Sequence, residues 1–192
     1  QIDLQLLNRN SEVLERQNDF ILILLSTQKL LSEFYNLQYD EQPGFFKVKI
    51  QKISNWLQYI STQQSCTVIL TNFPELDDGV YGQHSNMTTQ SFLYQVRRIN
   101  IELTHLGSIF NNFMICDISS LQNIYGREQM ISSPIYYSSH FVLHPDFYEN
   151  IAFSFLKMMV AKRGKLKKCL ILDLDNTLWG GIIGEIGLNG IQ

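Results

Sequence analysis

A chain of 192 residues, 45% hydrophobic and 17% charged, can bury a core for one domain and part of another. Its formal net charge of -3 gives no reason to expect nucleic acid or an anionic membrane as partner. No apolar run is long enough to span a membrane and no secretory leader opens the chain. Of the three scattered cysteines, Cys116 and Cys169 sit in apolar strand patterns and read as reduced core residues, so a cytoplasmic protein is expected.

In chain order, Gln1 to Gln17 is polar with spaced leucines and reads as a short leading helix. Asp19 to Leu25 is an apolar run that predicts a buried strand, and Ser26 or Thr27 then caps a helix carrying Leu30, Leu31 and Phe34. Tyr39 to Gly44 reads as a loop. Phe46, Ile50, Ile53, Leu57 and Ile60 recur at helical spacing. Thr67 to Thr71 is a second buried strand, followed by a polar loop from Asn72 to Met87. Phe92, Val96, Ile99, Leu103 and Leu106 mark a helix face that Gly107 closes. Phe113 to Asp117 is the third strand, and a short helix reaches Gly126. Arg127 to His144 reads as mostly irregular. Pro145 fits the first turn of a helix to about Lys162, burying Ile151, Phe155, Met158 and Met159.

Strand and helix alternate throughout, which predicts an α/β fold: a three-layer parallel sheet of SGNH or flavodoxin type covered by helices on both faces. Right-handed crossovers bring every strand's C-terminal end to one edge. Ser26, Thr27 and Gln28, then Asn72, Glu75, Asp77 and Asp78, then Asp117 and Ser119 fall near that edge. They either line a cleft or simply cap helices and face water.

The stretch richest in chemistry lies near the C-terminus. Cys169 to Leu172 is an unbroken apolar run, followed by Asp173 and Asp175, then Thr177, Trp179, Gly180 and Gly181. A spacing of two puts both carboxylates on one strand face. Held together they repel, and a hard cation such as Mg²⁺ relieves that repulsion. Asp173 could attack a phosphoryl group, and Asp175 could protonate a leaving oxygen. The bland alternative is two acids capping a strand. Trp179 reads equally as a shield over a site and as a core anchor.

Asp173-Leu174-Asp175-Asn176-Thr177 after a strand resembles motif I of the haloacid dehalogenase (HAD) superfamily, and the run through Glu185 resembles its FkbH-like branch, subfamily IIIC. Ile186 stands where that branch usually has a second acid. The resemblance implies that Asp173 is nucleophile and first Mg²⁺ ligand. It also implies that Asp175 is the acid/base, giving its backbone carbonyl to the metal, and that Trp179, Gly180 and Gly181 begin a flap. Thr177 belongs to the same motif. Residues 165–192 are then the first strand and flap of a HAD Rossmann-like domain whose remaining elements lie beyond Gln192, so the chain reads as a fragment that alone does not catalyse.

Upstream, Asn18 to Lys29 resembles the third block of SGNH esterases, and Leu143-His144-Pro145 resembles their last. Ser26, Gln28 and Lys29 replace that block's Gly, Asn and Asp. Phe141 stands where an Asp would orient His144, and no Gly-Asp-Ser occurs. Nucleophile, base and oxyanion donor are needed together, so residues 1–164 are expected to be a degenerate SGNH-like domain whose own start lies upstream, with His144 a helix-start residue. FkbH-like proteins combine such a domain with a HAD domain. That resemblance implies a phosphorylated three-carbon substrate and transfer of a glyceryl group to an acyl carrier protein, or plain phosphatase activity. The competing expectation is that residues 1–164 form a non-catalytic module for carrier-protein docking or homodimer formation.

Overall fold

The computed structural model describes residues 5–6, 11–165, 180 and 187. The chain divides into two compact units, Gln1–Met159 and Val160–Gln192. The first contains a three-stranded parallel sheet. Its elements are α1 (Glu12–Glu15), β1 (Phe20–Ile23), α2 (Thr27–Tyr35), α3 (Phe45–Gln63), β2 (Thr67–Thr71), α4 (Phe92–Ile109), β3 (Phe113–Cys116), α5 (Ile118–Tyr125), α6 (Arg127–Met130), α7 (Ser133–Ser139) and the start of α8 (Tyr148–Lys162).

The strands lie in the order β1-β2-β3. Phe20 pairs with Thr67 and Val68 with Phe113, both in parallel. Each apolar run became a strand because parallel strands covered on both faces have no polar side to show. β2 is central and shows the alternation directly: Val68 and Leu70 enter one core, Ile69 the other. The first core is closed by α2, α3 and α4, where the rings of Phe34, Phe45 and Phe92 meet at 5.3–5.6 Å. The second takes Ile118 of α5, Met130 of α6, Leu143, and Ile151 and Phe155 of α8. Helices on both faces of a parallel sheet are the expected three-layer arrangement.

Several expectations need correction. β1 is not wholly buried: Leu22 is 45% exposed. Its strand has a hydrogen-bonded neighbour on one side only among the described residues. Gly107 does not end α4. It lies within the helix, which runs to Ile109 and caps at Phe110. Phe45 and Trp56 are buried in α3 although they fall outside its predicted stripe, while Phe46 and Ile50 are only partly buried. A 3₁₀ turn, Gln42–Gly44, leads into α3.

The predicted irregular stretch, Arg127 to His144, holds the two short helices α6 and α7. Ser132 caps α7 by accepting from the Ile135 N–H, Pro134 sits in its first turn, and His140 ends it in the left-handed region at φ 58°. Buried Met130 and Leu143 pin the segment at its ends. The His144 N–H donates to the Met130 carbonyl at 2.7 Å and closes it.

Met158 and Met159 are partly buried rather than fully. No helix among the described residues is long and apolar enough to cross a membrane.

Candidate functional site

The strand ends do converge on one edge, but most of the polar residues there are consumed by one another. Asn72 donates to the Asp117 carboxylate at 2.7 Å and to the Ser119 hydroxyl at 2.9 Å, and accepts from the Ser119 N–H at 3.0 Å. Asp117 also caps α5 by accepting from Ser120. The loop beyond β2 is fixed residue by residue. The Asn100 carboxamide bonds both backbone groups of Phe73. The Thr27 hydroxyl donates to the Pro74 carbonyl. Gln122 bonds both backbone groups of Glu75 at 2.7 Å each. Arg97 forks onto the Glu75 carboxylate through Nε and a terminal nitrogen, at 2.8 and 2.6 Å, which raises its pKa further. Asp77 and Asp78 hold the turn that follows, through the Gly79 and Val80 N–H groups. At the ends of β2 and β3, the capping alternative describes these residues.

The esterase-like positions come together, again in structural roles. Ser26 caps α2, accepting from the Lys29 N–H at 3.1 Å and donating to Gln28 Oε1 at 3.2 Å. Gln28, buried, donates to the Val142 carbonyl at 3.1 Å and so ties the start of α2 to the segment that leads to His144. His144 Nδ1 accepts from the Asp146 N–H at 3.4 Å at the head of the 3₁₀ turn Pro145–Phe147. It is the helix-start residue expected. Phe141 packs its ring against Tyr148 at 6.0 Å and offers His144 nothing to orient it.

One end of the edge is open. A cleft of about 470 Å³ lies past the C-terminal end of β1. Its apolar wall includes Leu24, Leu25, Leu30, Ile53, Trp56 and Phe73. Its rim carries Lys29, Lys49, Lys52 and Glu33, with Tyr136 and His140 on the far side. Lys49 is paired with Glu33 and lies over the Phe45 ring at 4.9 Å. Lys52 lies over the Trp56 ring at 5.5 Å. The Lys29 ammonium has no ion-pair partner among the described residues. Lys49, Lys52 and His140 carry no motif, and only the fold gathers them beside α2.

The two thiols described, Cys66 and Cys116, are buried and free. Burial pushes both up, Cys116 to about 11 with a smaller push from the Asp117 carboxylate. Neither is poised as a nucleophile. Among the described residues no group of three or more His, Cys, Asp or Glu is placed to hold a metal.

Asp173, Asp175, Thr177, Trp179 and Gly181 lie outside the described residues, and Gly180 sits exposed in a bend. The two carboxylates that the sequence offers there, Asp173 and Asp175, carry hard oxygens of the kind Mg²⁺ prefers.

The family described as FkbH, N-terminal domain, matches residues 1–160. Among solved structures, the chain is similar to a crystal structure of the N-terminal part of a Bacteroides fragilis protein, containing a phosphatase domain and complexed with Mg. The identity is 32% and the TM-score 0.81, over 100% of this chain and 50% of that one. The chain thus spans about half the length of the solved protein. No curated protein matches it.

Proposed function

The chain belongs to the FkbH N-terminal domain family, and from that membership we propose that the whole protein is a Mg²⁺-dependent phosphatase or glyceryl transferase. Its substrate would be a phosphorylated three-carbon donor, and its acceptor water or the thiol of an acyl carrier protein. One observation carries this reading. The similarity to a protein with a phosphatase domain and Mg runs through the whole chain, including Asp173-Leu174-Asp175-Asn176-Thr177.

In the proposed chemistry, an Asp173 carboxylate oxygen attacks phosphorus and the bond to the leaving oxygen breaks. Asp175 gives that oxygen its proton. Asp175, now ionised, takes a proton from the water that opens the aspartyl phosphate. Mg²⁺, held by the Asp173 carboxylate and the Asp175 carbonyl, would neutralise charge on the phosphoryl oxygens. Thr177 would add a hydrogen-bond donor beside the site, and Trp179, Gly180 and Gly181 a flap. Residues 165–192 alone would be inactive, because the other HAD elements are not among them.

The assay is phosphate release by the full-length protein with and without Mg²⁺. Asp173→Asn should abolish turnover and any aspartyl-phosphate adduct. Asp175→Asn should leave metal binding nearly intact and cost about 10²–10⁴ in rate. Unchanged release in Asp173→Asn would sink the mechanism.

For residues 1–164 we propose binding rather than hydrolysis, with carrier-protein docking or homodimer formation as the role. Two observations support it. Ser26 and His144 are spent as caps, and α8 exposes Phe153 (57%) and Leu156 (50%). Hydrolysis of a nitrophenyl ester that disappeared in His144→Ala would refute the non-hydrolytic part.

A further inference from the structure

We infer that the cleft past the end of β1 is a binding site for a small amphipathic anion: an apolar tail on a phosphate or carboxylate head. Three properties of the cleft point there.

The first is size and lining. About 470 Å³ falls within the range of small-molecule sites, and a wall built from Leu25, Leu30, Ile53, Trp56 and Phe73 offers a tail no hydrogen bond to lose. Trp56 and Leu30 belong to the first core cluster, so this wall is part of the packed interior. It is therefore preorganised, which lowers the cost of binding.

The second is charge. The chain as a whole is acidic, yet among the described residues this rim carries a lysine, Lys29, that no carboxylate balances. Glu33 is already committed to Lys49. Lys29 is exposed beside Ser26 and has no counter-ion among the described residues. A cation left unbalanced by its described neighbours at the mouth of an apolar cavity selects a ligand with its charge at one end, because the head stays at the rim while the tail leaves water.

The third is the contrast with the rest of the strand-end edge. At β2 and β3 the polar groups are paired with each other. At β1 the Gln28–Val142 bond holds α2 and the segment before His144 together, and His140 stands on the cleft wall in a left-handed backbone conformation at φ 58°. A non-glycine residue in that region is held there by its surroundings.

The inference is independent of the phosphatase reading, and its test runs without turnover. The full chain is titrated by calorimetry in Mg²⁺-free buffer with EDTA, using octyl phosphate, octanoate, butyl phosphate, octanol and inorganic phosphate. Octyl phosphate and octanoate should bind, and the tighter of the two identifies the head. Butyl phosphate, four methylenes shorter, should bind about 100-fold more weakly if those groups are buried. Octanol and inorganic phosphate should each bind at least about tenfold more weakly than octyl phosphate, since each lacks one of the two anchors. Lys29→Glu should weaken octyl phosphate about tenfold and leave octanol unchanged. Octyl phosphate binding no tighter than butyl phosphate, or with wild-type affinity in Lys29→Glu, overturns the inference. Lys29→Gln is a second check on the rim: it should weaken both anions and spare octanol, and equal weakening of all three would also overturn it.

Discussion

The two halves of the strand-end edge both spend their strand-end polar residues on caps and loop backbone, Ser26, Thr27 and Gln28 at β1 included, and differ in what stands beyond them. At β2 and β3, Asn72, Asp117, Ser119, Gln122 and Asn100 bond one another or the loop backbone. At β1, an apolar wall and a rim lysine without a counter-ion among the described residues face an open cleft. Polarity at the C-terminal end of a parallel strand therefore does not by itself make a site. What matters is whether the polar groups are already satisfied, since a satisfied network adds rigidity and an unsatisfied rim adds affinity.

The strongest way to break the comparison is Asn72→Ala. Asn72 is buried and makes three hydrogen bonds, so its loss should cost about 2–3 kcal/mol in urea unfolding with the m-value unchanged. A cost under about 0.5 kcal/mol would mean that the closed end is not held as described.

Next comes Cys116, at the end of β3. Its folded pKa of about 11 lies above that of an unfolded thiol, so the folded state holds its proton longer. The associated stability is fully present below the unfolded pKa and is lost as pH rises towards 11, at up to about 1.4 kcal/mol per pH unit. Cys116→Ala should flatten that alkaline decline once its own packing loss is subtracted. Thermal melts between pH 8 and 11 read it.

Gln122→Ala removes two 2.7 Å bonds to the Glu75 backbone and should cost about 1–2 kcal/mol. Amide hydrogen exchange at Glu75 should rise in the same variant.

The smallest effect is the sharpest for the open half. Lys29→Glu should shift stability by under about 0.5 kcal/mol, because Lys29 is exposed and has no ion pair to lose among the described residues. A large loss there would turn the proposed binding residue into a structural one.

All three strands were legible in the sequence because buried parallel strands are short apolar runs, and Thr67 to Thr71 is found with the same bounds. The caps Ser26 and Asp117 were legible through residue type. α6 and α7 were not. α7 is made of Ser, Tyr, Pro and Ile, weak helix formers, and α6 is one turn of good helix formers too short to show a period; burial of Met130 and Leu143 holds the segment in place. Gly107 misled because a helical glycine and a terminating glycine read alike until the backbone is seen. The cleft was hidden for a different reason. Its lysines come from α2 and α3 and its far wall from α7, so no local pattern contains it. The HAD-like motif is the reverse case: plain in sequence, and outside the described residues.

The parallel pairing of β1 with β2 also has a consequence on the ribosome. β1 cannot pair until β2 has been made, and about forty residues separate Ile23 from Thr67. At about 5–20 residues per second, that leaves Ile21 and Ile23 without their strand partners for roughly 2–8 s. During that interval the parts of the first core already made, among them Leu6, Val13, α2 and α3, are what can cover them, so the nascent chain depends on these segments before it has a sheet.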